Sequence, residues 1–210
     1  MTRTQGEATK RTRLSPAERR EQLITLGAKM LGERAIEDIS VSEIAIQAGI
    51  SRGLLFHYFP TKQDFLLAIA RHANAELLQR VAPDRALGVF GMLRDSMERY
   101  IDYVSENRTS YLALLRGPTS VSPDLAALVD QTRDAIIGII LAEVPVPISE
   151  ADHPRLWLAM RGWIAFVEET TLTWLSTEPI SREQHIDLLV ESLIAIALSV
   201  DPALAAALRG

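Results

Sequence analysis

Arg52 and Lys62 belong to a run of side chains suited to a polyanion, together with Ser51, Gly53, Leu54, Phe56, His57 and Tyr58. An arginine in the first turn of a helix can donate two hydrogen bonds to guanine O6 and N7. A lysine at a helix start joins its charge to the free backbone N–H groups there, and both attract a phosphate. His57 and Tyr58 add polar tips beside them. Chemistry of other kinds finds little support. The sequence offers no nucleophile elbow, no glycine-rich phosphate loop and no HExxH-type pair among His57, His72, His153 and His185. There is no cysteine, which removes disulfides and thiolate metal sites and fits a reducing, cytoplasmic setting. The expectation is a protein with no catalytic site, no metal and no cofactor.

The elements that must hold these residues are two short helices around a glycine. Ser40 is placed to cap the first, and Glu43, three residues on, to complete a capping box. Ile44, Ala45 and Ala48 share one face. Gly49 takes the turn and Ile50 follows as a buried plug. Ser51 caps the second helix, whose apolar positions are Leu54, Leu55 and Tyr58. Pro60 stops it, and Thr61 with Asp64 caps the next. Two short helices with glycine in the turn form a helix-turn-helix, and the second presents Ser51, Arg52 and Gly53 to a DNA major groove. An ordinary helical corner gives the same spacing, so spacing alone leaves DNA binding open.

The stretch MLGERAIEDIS followed by VSEIAIQAGISRGLLFHYFPTKQDFLLAI resembles the tetracycline-repressor (TetR) family of bacterial transcription regulators. The resemblance covers about the first third of the chain. The family's closing run on the recognition helix appears as Gly53, Leu55, Phe56, Tyr58, Phe59 and Lys62. Leu54 stands where threonine is frequent and Phe56 where tyrosine is frequent, so each lacks a hydroxyl. The resemblance implies a dimer formed through the last two long helices, a C-terminal ligand domain and, usually, repression. The candidate DNA contacts are Ser40, Ser51, Arg52, Gly53, Leu54, Phe56, His57, Tyr58 and Lys62.

Around this centre the 210-residue chain divides by charge. Residues 1–80 carry 12 basic and 9 acidic side chains, while residues 81–210 carry 10 and 18. That puts the positive excess beside the helix-turn-helix and an acidic body behind it. Residues 1–14, with Arg3, Lys10, Arg11 and Arg13, read as a disordered basic arm that follows the DNA. Ser15, Pro16 and Glu18 start a supporting helix. The helix-turn-helix domain spans 15–60, and a connecting helix occupies 61–82 up to Pro83.

Residues 83–210 read as helix throughout, over Leu87–Val104, Arg108–Leu115, Ser122–Glu143, Asp152–Ser176 and Ser181–Val200, with a short turn after Asp201. Gly117-Pro118 and a proline-rich segment from Val144 to Ser149 break the run. The fold expected is all-α: a three-helix bundle with a helix-turn-helix, then a helical ligand-binding and dimerisation domain. No apolar run reaches membrane-spanning length, so no membrane partner is expected.

The helix from 152 to 176 is apolar nearly all round and needs burial on every side, which favours a homodimer through the last two long helices. Met92, Met97, Tyr100, Tyr103, Tyr111, Trp157, Met160, Arg161, Trp163, Phe166 and Glu168 are the candidate lining of a pocket for a small amphipathic or aromatic ligand. Arg161 and Glu168, seven residues apart at mid-helix, either face that pocket or form ion pairs. The expected function is a ligand-responsive DNA-binding regulator, in the repressing sense. Its rivals are an all-helical enzyme and a protein-protein adaptor whose helix-turn-helix no longer binds DNA.

Overall fold

The computed structural model describes residues 14–34, 36–116, 122–144, 146–147, 149–150 and 152–209. The basic arm up to residue 13 and the Gly117-Pro118 break lie outside them. Among the described residues the regular structure is helical: α1 (Pro16–Glu33), α2 (Val41–Gln47), α3 (Arg52–Tyr58), α4 (Lys62–Arg80), α5 (Val89–Glu106), α6 (Arg108–Arg116), α7 (Pro123–Ala142), α8 (His153–Thr177), α9 (Arg182–Val200) and α10 (Pro202–Arg209).

Local chemistry sets most of the boundaries. Ser15 with Glu18, Thr61 with Asp64 and Ser181 with Gln184 each form a reciprocal capping box, satisfying two otherwise orphaned N–H groups apiece. Ser40 and Ser51 cap α2 and α3 by accepting the N–H of Glu43 and Leu54. The expected box at α2 does not close. Glu43 instead accepts from Arg34 at 3.1 Å, just past the end of α1. A guanidinium offers a charge-assisted bond that outcompetes a single peptide N–H.

Two cores result. The first gathers α1 to α4 around Leu23, Ile44, Leu55, Phe59, Phe65 and Ile69. Gly27 lets α1 meet α4, since a Cβ there would fall 2.3 Å from the Ile69 side chain. The second core joins the far end of α4 to α5, α7, α8, α9 and α10 around Ile101, Val104, Trp163, Ile186 and Leu189. Leu125, near the start of α7, is fully buried yet belongs to the first core. Hydrogen bonds from Gln63 to Ser122 and from Asn74 to Thr132 fasten α4 along α7 at 2.9 and 2.8 Å.

Several expectations are corrected. The helix expected from Leu87 begins at Val89, because Asp84 draws the Ala86 N–H into a turn and Gly88 becomes the N-cap. A 3-10 turn over Ile36–Asp38, not foreseen, carries the chain from α1 to α2 and buries Ile36. The terminal turn after Asp201 is an eight-residue helix whose Leu204, Ala205 and Leu208 are buried. Ile50 is half-buried rather than a plug, and Leu54 is exposed rather than part of the stripe.

Candidate nucleic-acid interface and C-terminal cavity

The turn before α3 is built tightly. Gly49 sits at φ 65, in the left-handed region that side chains disfavour. The Ile50 N–H reaches back to the Ala45 carbonyl at 2.9 Å and closes the turn. Arg19 on α1 donates to the Ala48 carbonyl at 3.4 Å and to Gln22 at 2.6 Å, pinning α1 against it. Sequence reasoning missed Arg19 and Arg20. Arg20 lies over the Phe59 ring, 5.0 Å from its centre; a basic pair on the polar face of α1 was the available signal.

With Leu55 and Phe59 buried beneath it, α3 turns its other side outward. Ser51, Arg52, Gly53, Leu54 and His57 are exposed, Phe56 and Tyr58 half-buried. The Arg52 guanidinium lies 5.4 Å from the Phe56 ring centre, a cation–π contact that limits its wandering. The contact is made by the ring face of Phe56 and needs no hydroxyl. His57 and Tyr58 meet edge to face at 5.7 Å. Lys62 is exposed in the first turn of α4, where the helix dipole and free N–H groups favour an anion. Ser40 is half-buried, its oxygen engaged by the Glu43 N–H. The expected DNA contacts therefore run the length of α3, from Ser51 and Arg52 to His57 and Tyr58, and on to Lys62 in the first turn of α4, with Ser40 at the head of α2.

The expected pocket residues are scattered. Trp157 is 45% exposed with Arg161 stacked on it at 5.4 Å, so it faces outward. Arg161 pairs with Asp130 and Asp134 at 2.8 and 3.1 Å. Glu168 accepts two hydrogen bonds from Arg133, and Glu169 pairs with Arg116. Trp163 is buried with its indole N–H donated to the Leu189 carbonyl and the Ser192 hydroxyl, both at 3.1 Å. Tyr100 and Tyr111 share a buried hydroxyl contact of 3.0 Å. Burial raises the pKa of both phenols, so both stay neutral. Burial also pushes Tyr103 up to about 12, and its hydroxyl donates to the Ala73 carbonyl on α4. Phe166 is half-buried against the second core.

Small voids of about 20 to 30 Å³ remain beside Met160, Tyr103, Tyr111 and Glu168. A wider cavity, about 60 Å³, lies elsewhere, where α5, the second half of α7, α9 and α10 converge with the chain after α4. Met92 and Met97 are expected residues that line it; Val89, Ile136, Ile140 and Leu208 surround it too. The signal for the α7 wall was the run AIIGIILA, more apolar than one buried face requires. Among the described residues no group of His, Cys, Asp and Glu is arranged to hold a metal, and no helix is long and apolar enough to cross a membrane.

Comparison with known proteins agrees with this arrangement. Residues 23–69 match the family model for bacterial regulatory proteins of the tetR family, and residues 89–196 match the tetracyclin repressor-like C-terminal domain. A tetR-family transcriptional regulator from Streptomyces coelicolor superposes with a TM-score of 0.79 at 34% identity, covering 93% of this chain and 89% of its own. The transcriptional activator FasR of Mycolicibacterium smegmatis is 22% identical over 83% of this chain and 81% of its own length. The transcriptional regulator BetI of Brucella anthropi is 41% identical over 61 residues, 29% of this chain and 31% of that protein. Two family models in register with the two cores, together with that structural relative, identify the chain: it belongs to the TetR family of ligand-responsive, DNA-binding transcription regulators.

Proposed function

We propose that the protein acts as a homodimeric repressor that leaves its operator when a small molecule occupies the C-terminal domain. The exposed N-terminal turn of α3, with Arg52 held over Phe56, carries this reading. In it, Arg52 reads a guanine in the major groove, while Ser51, Gly53 and Leu54 fill the groove beside it. Leu54, 40% exposed, offers an apolar contact to a thymine methyl rather than a hydrogen bond. Ser40, His57, Tyr58 and Lys62 hold phosphates and set the register. The protein works in the cytoplasm, beside the chromosome.

The dimer is proposed through α8 and α9. Leu158, 68% exposed, continues through Gly162 and Ala165 along one face of α8; Leu188, Ala195 and Leu198 line the outer face of α9. Small residues between exposed leucines suit close helix packing across a two-fold axis. A dimer delivers two recognition helices to half-sites about 34–36 Å apart, or multiples of that spacing. Selection of binding sites from random DNA, followed by fluorescence anisotropy, tests the reading: a palindromic site should emerge. Leu188→Glu should give a monomer by light scattering and lose operator affinity. A tight-binding monomer would refute the dimer. A promoter–reporter assay decides the sign, since activation instead of repression would overturn that part.

A further inference from the structure

Most arginines of this fold are spoken for. Among the described residues, Arg20, Arg52 and Arg71 are the arginines that make neither a hydrogen bond nor an ion pair. Arg52 is the candidate base reader. Arg20 and Arg71 line one half-open groove of about 500 Å³ between α1 and α4. Arg20 stands on the α1 wall, 5.0 Å from the Phe59 ring centre, and Arg71 on the α4 wall. Buried Ile24, Phe59 and Ala68 make an apolar floor with Leu67, and Tyr58 and Pro60 line the end next to α3. Asp64 is the acid of the lining, and its carboxylate accepts the Thr61 N–H and hydroxyl at 3.0 and 2.8 Å. His72 meets Glu21 on α1 at 3.6 Å. The acids at the groove thus have partners, while its two guanidiniums do not.

This arrangement selects an occupant that is acidic and apolar together. A guanidinium on each wall suits a carboxylate, which it can grip through two parallel N–H bonds. The floor between them suits a bulky aliphatic or aromatic side chain. The volume lies within the roughly 300–1,000 Å³ of natural ligand sites, and the open side lets a polypeptide enter and leave. Arginine and tyrosine are also the side chains that most often anchor protein partners. DNA suits the groove less well. A phosphodiester backbone makes no use of an apolar floor. Arg71 also lies about two and a half turns, or roughly 14 Å, beyond Lys62 on α4, too far to share a phosphate with it. The N-terminal arm, with Arg3, Lys10, Arg11 and Arg13, has the wrong sign to fill it.

We propose that the α1–α4 groove docks an acidic segment of a partner protein, Asp or Glu side chains flanking a bulky apolar one, and that the docked segment excludes the operator. Exclusion follows from position. Tyr58 belongs both to the groove and to the candidate phosphate contacts, and acids seated beside it repel the DNA backbone. That half of the proposal rests on the reading of α3 and the first turn of α4 as the DNA face; the docking itself does not.

Selection from a random peptide display library against the full chain, free of DNA, tests the docking. Enriched peptides should combine Asp or Glu with Leu, Phe or Trp, and bind one per chain by calorimetry. Arg20→Glu and Arg71→Glu should each weaken the tightest peptide at least tenfold, with circular dichroism unchanged. Replacing the peptide's acids with lysine should abolish binding to the wild type. The same replacement should restore binding to the variant carrying both Arg20→Glu and Arg71→Glu, a rescue that misfolding could not mimic. No enrichment, enrichment without acids, or affinity untouched by both reversals overturns the proposal. So does 1-naphthyl phosphate binding as tightly as the peptide and weakening with Arg71→Ala, which would make the groove a small-anion site. Operator binding is measured separately by anisotropy. Saturating peptide should weaken it at least tenfold in the wild type, and the same peptide concentration should not do so in Arg71→Ala. The operator affinity of Arg71→Ala without peptide should stay within twofold of the wild type. A tenfold loss there would assign the guanidinium to DNA and overturn the docking site. Peptide and operator bound together, neither weakened, would keep the docking and reject the exclusion. Absence of any sequence-specific DNA binding would reject the regulator reading and leave the peptide selection to decide the groove.

Discussion

Arg133 on α7 grips Glu168 on α8 through two parallel hydrogen bonds, 3.0 Å from Nε and 2.7 Å from Nη2. Only 13% of the Glu168 side chain is exposed, against 27% of Arg133. The Arg133 pKa is raised above its ordinary value, first by this hydrogen bond. Glu168→Ala should leave a partly buried guanidinium short of its partner and cost roughly 2 kcal/mol, less than a fully buried pair would. Urea denaturation measures it. A cost below a few tenths of a kcal/mol would show that water replaces the carboxylate.

Arg52→Ala should reduce operator affinity by about 1–3 kcal/mol and relax preference at one base pair per half-site. Phe56→Ala should produce a smaller loss of the same pattern, because it frees the guanidinium without removing it. Binding to a panel of single-base operator variants checks both. Equal weakening on every sequence would move Arg52 to the phosphate backbone.

Lys62→Ala should weaken specific and random DNA alike and lower the slope of log affinity against log salt by about one unit. Titrations at several salt concentrations read the slope directly. An unchanged slope would take Lys62 out of the interface.

His185 is 1% exposed, stacked at 5.2 Å on Trp174 and within 3.2 Å of the Thr171 hydroxyl. Burial holds its pKa below the ordinary value of 6.5. The unfolded chain therefore takes up a proton on this ring as pH falls below about 6.5, before the folded chain does. Stability attributable to His185 is full above that pH and declines as pH drops through the window beneath it. Melting temperatures between pH 7.5 and 5 should fall more steeply for the wild type than for His185→Gln. Parallel curves would assign the acid sensitivity to other groups.

Leu125→Ala should cost about 2–4 kcal/mol, as for other large-to-small changes at fully buried sites. The loss should register in the helix-turn-helix, although the substitution lies far along the chain. Hydrogen exchange in α1 and α4 should accelerate while α8 and α9 keep their protection relative to global stability. Uniform acceleration would mean that the first core does not depend on this side chain.

What was legible in the sequence was mostly local. The capping boxes at Ser15, Thr61 and Ser181 each involve residues three apart, so their bonds follow from spacing. Glu43 shows the same spacing from Ser40, yet Arg34, nine residues away, takes it. Spacing cannot rank a distant competitor. Arg161 and Glu168 were rightly singled out as charges in need of partners, and the choice between pocket and pair stayed open. The partners Asp130, Arg133 and Asp134 occupy one face of α7 at helical intervals, a pattern that matches the spacing of Arg161 and Glu168 on α8. That complementarity was readable only by comparing the two helices. The cavity was sought among methionines and aromatic residues because both suit ligands; Met92 and Met97 do line it, while the aromatics do not. Their indole and phenol groups instead found protein partners, as Trp163 did with Leu189 and Ser192.

The placement of Leu125 bears on how the protein can be divided. The DNA-reading part looks detachable, because its helices are consecutive from α1 to α4. Yet one side chain at the heart of its packing arrives from α7, beyond the break after α6. A fragment ending after α4 would carry a hole where Leu125 belongs and an uncovered apolar flank on α4. The smallest self-sufficient folding unit is therefore larger than the smallest unit that reads DNA, and cutting the chain at its apparent domain boundary would leave neither half whole.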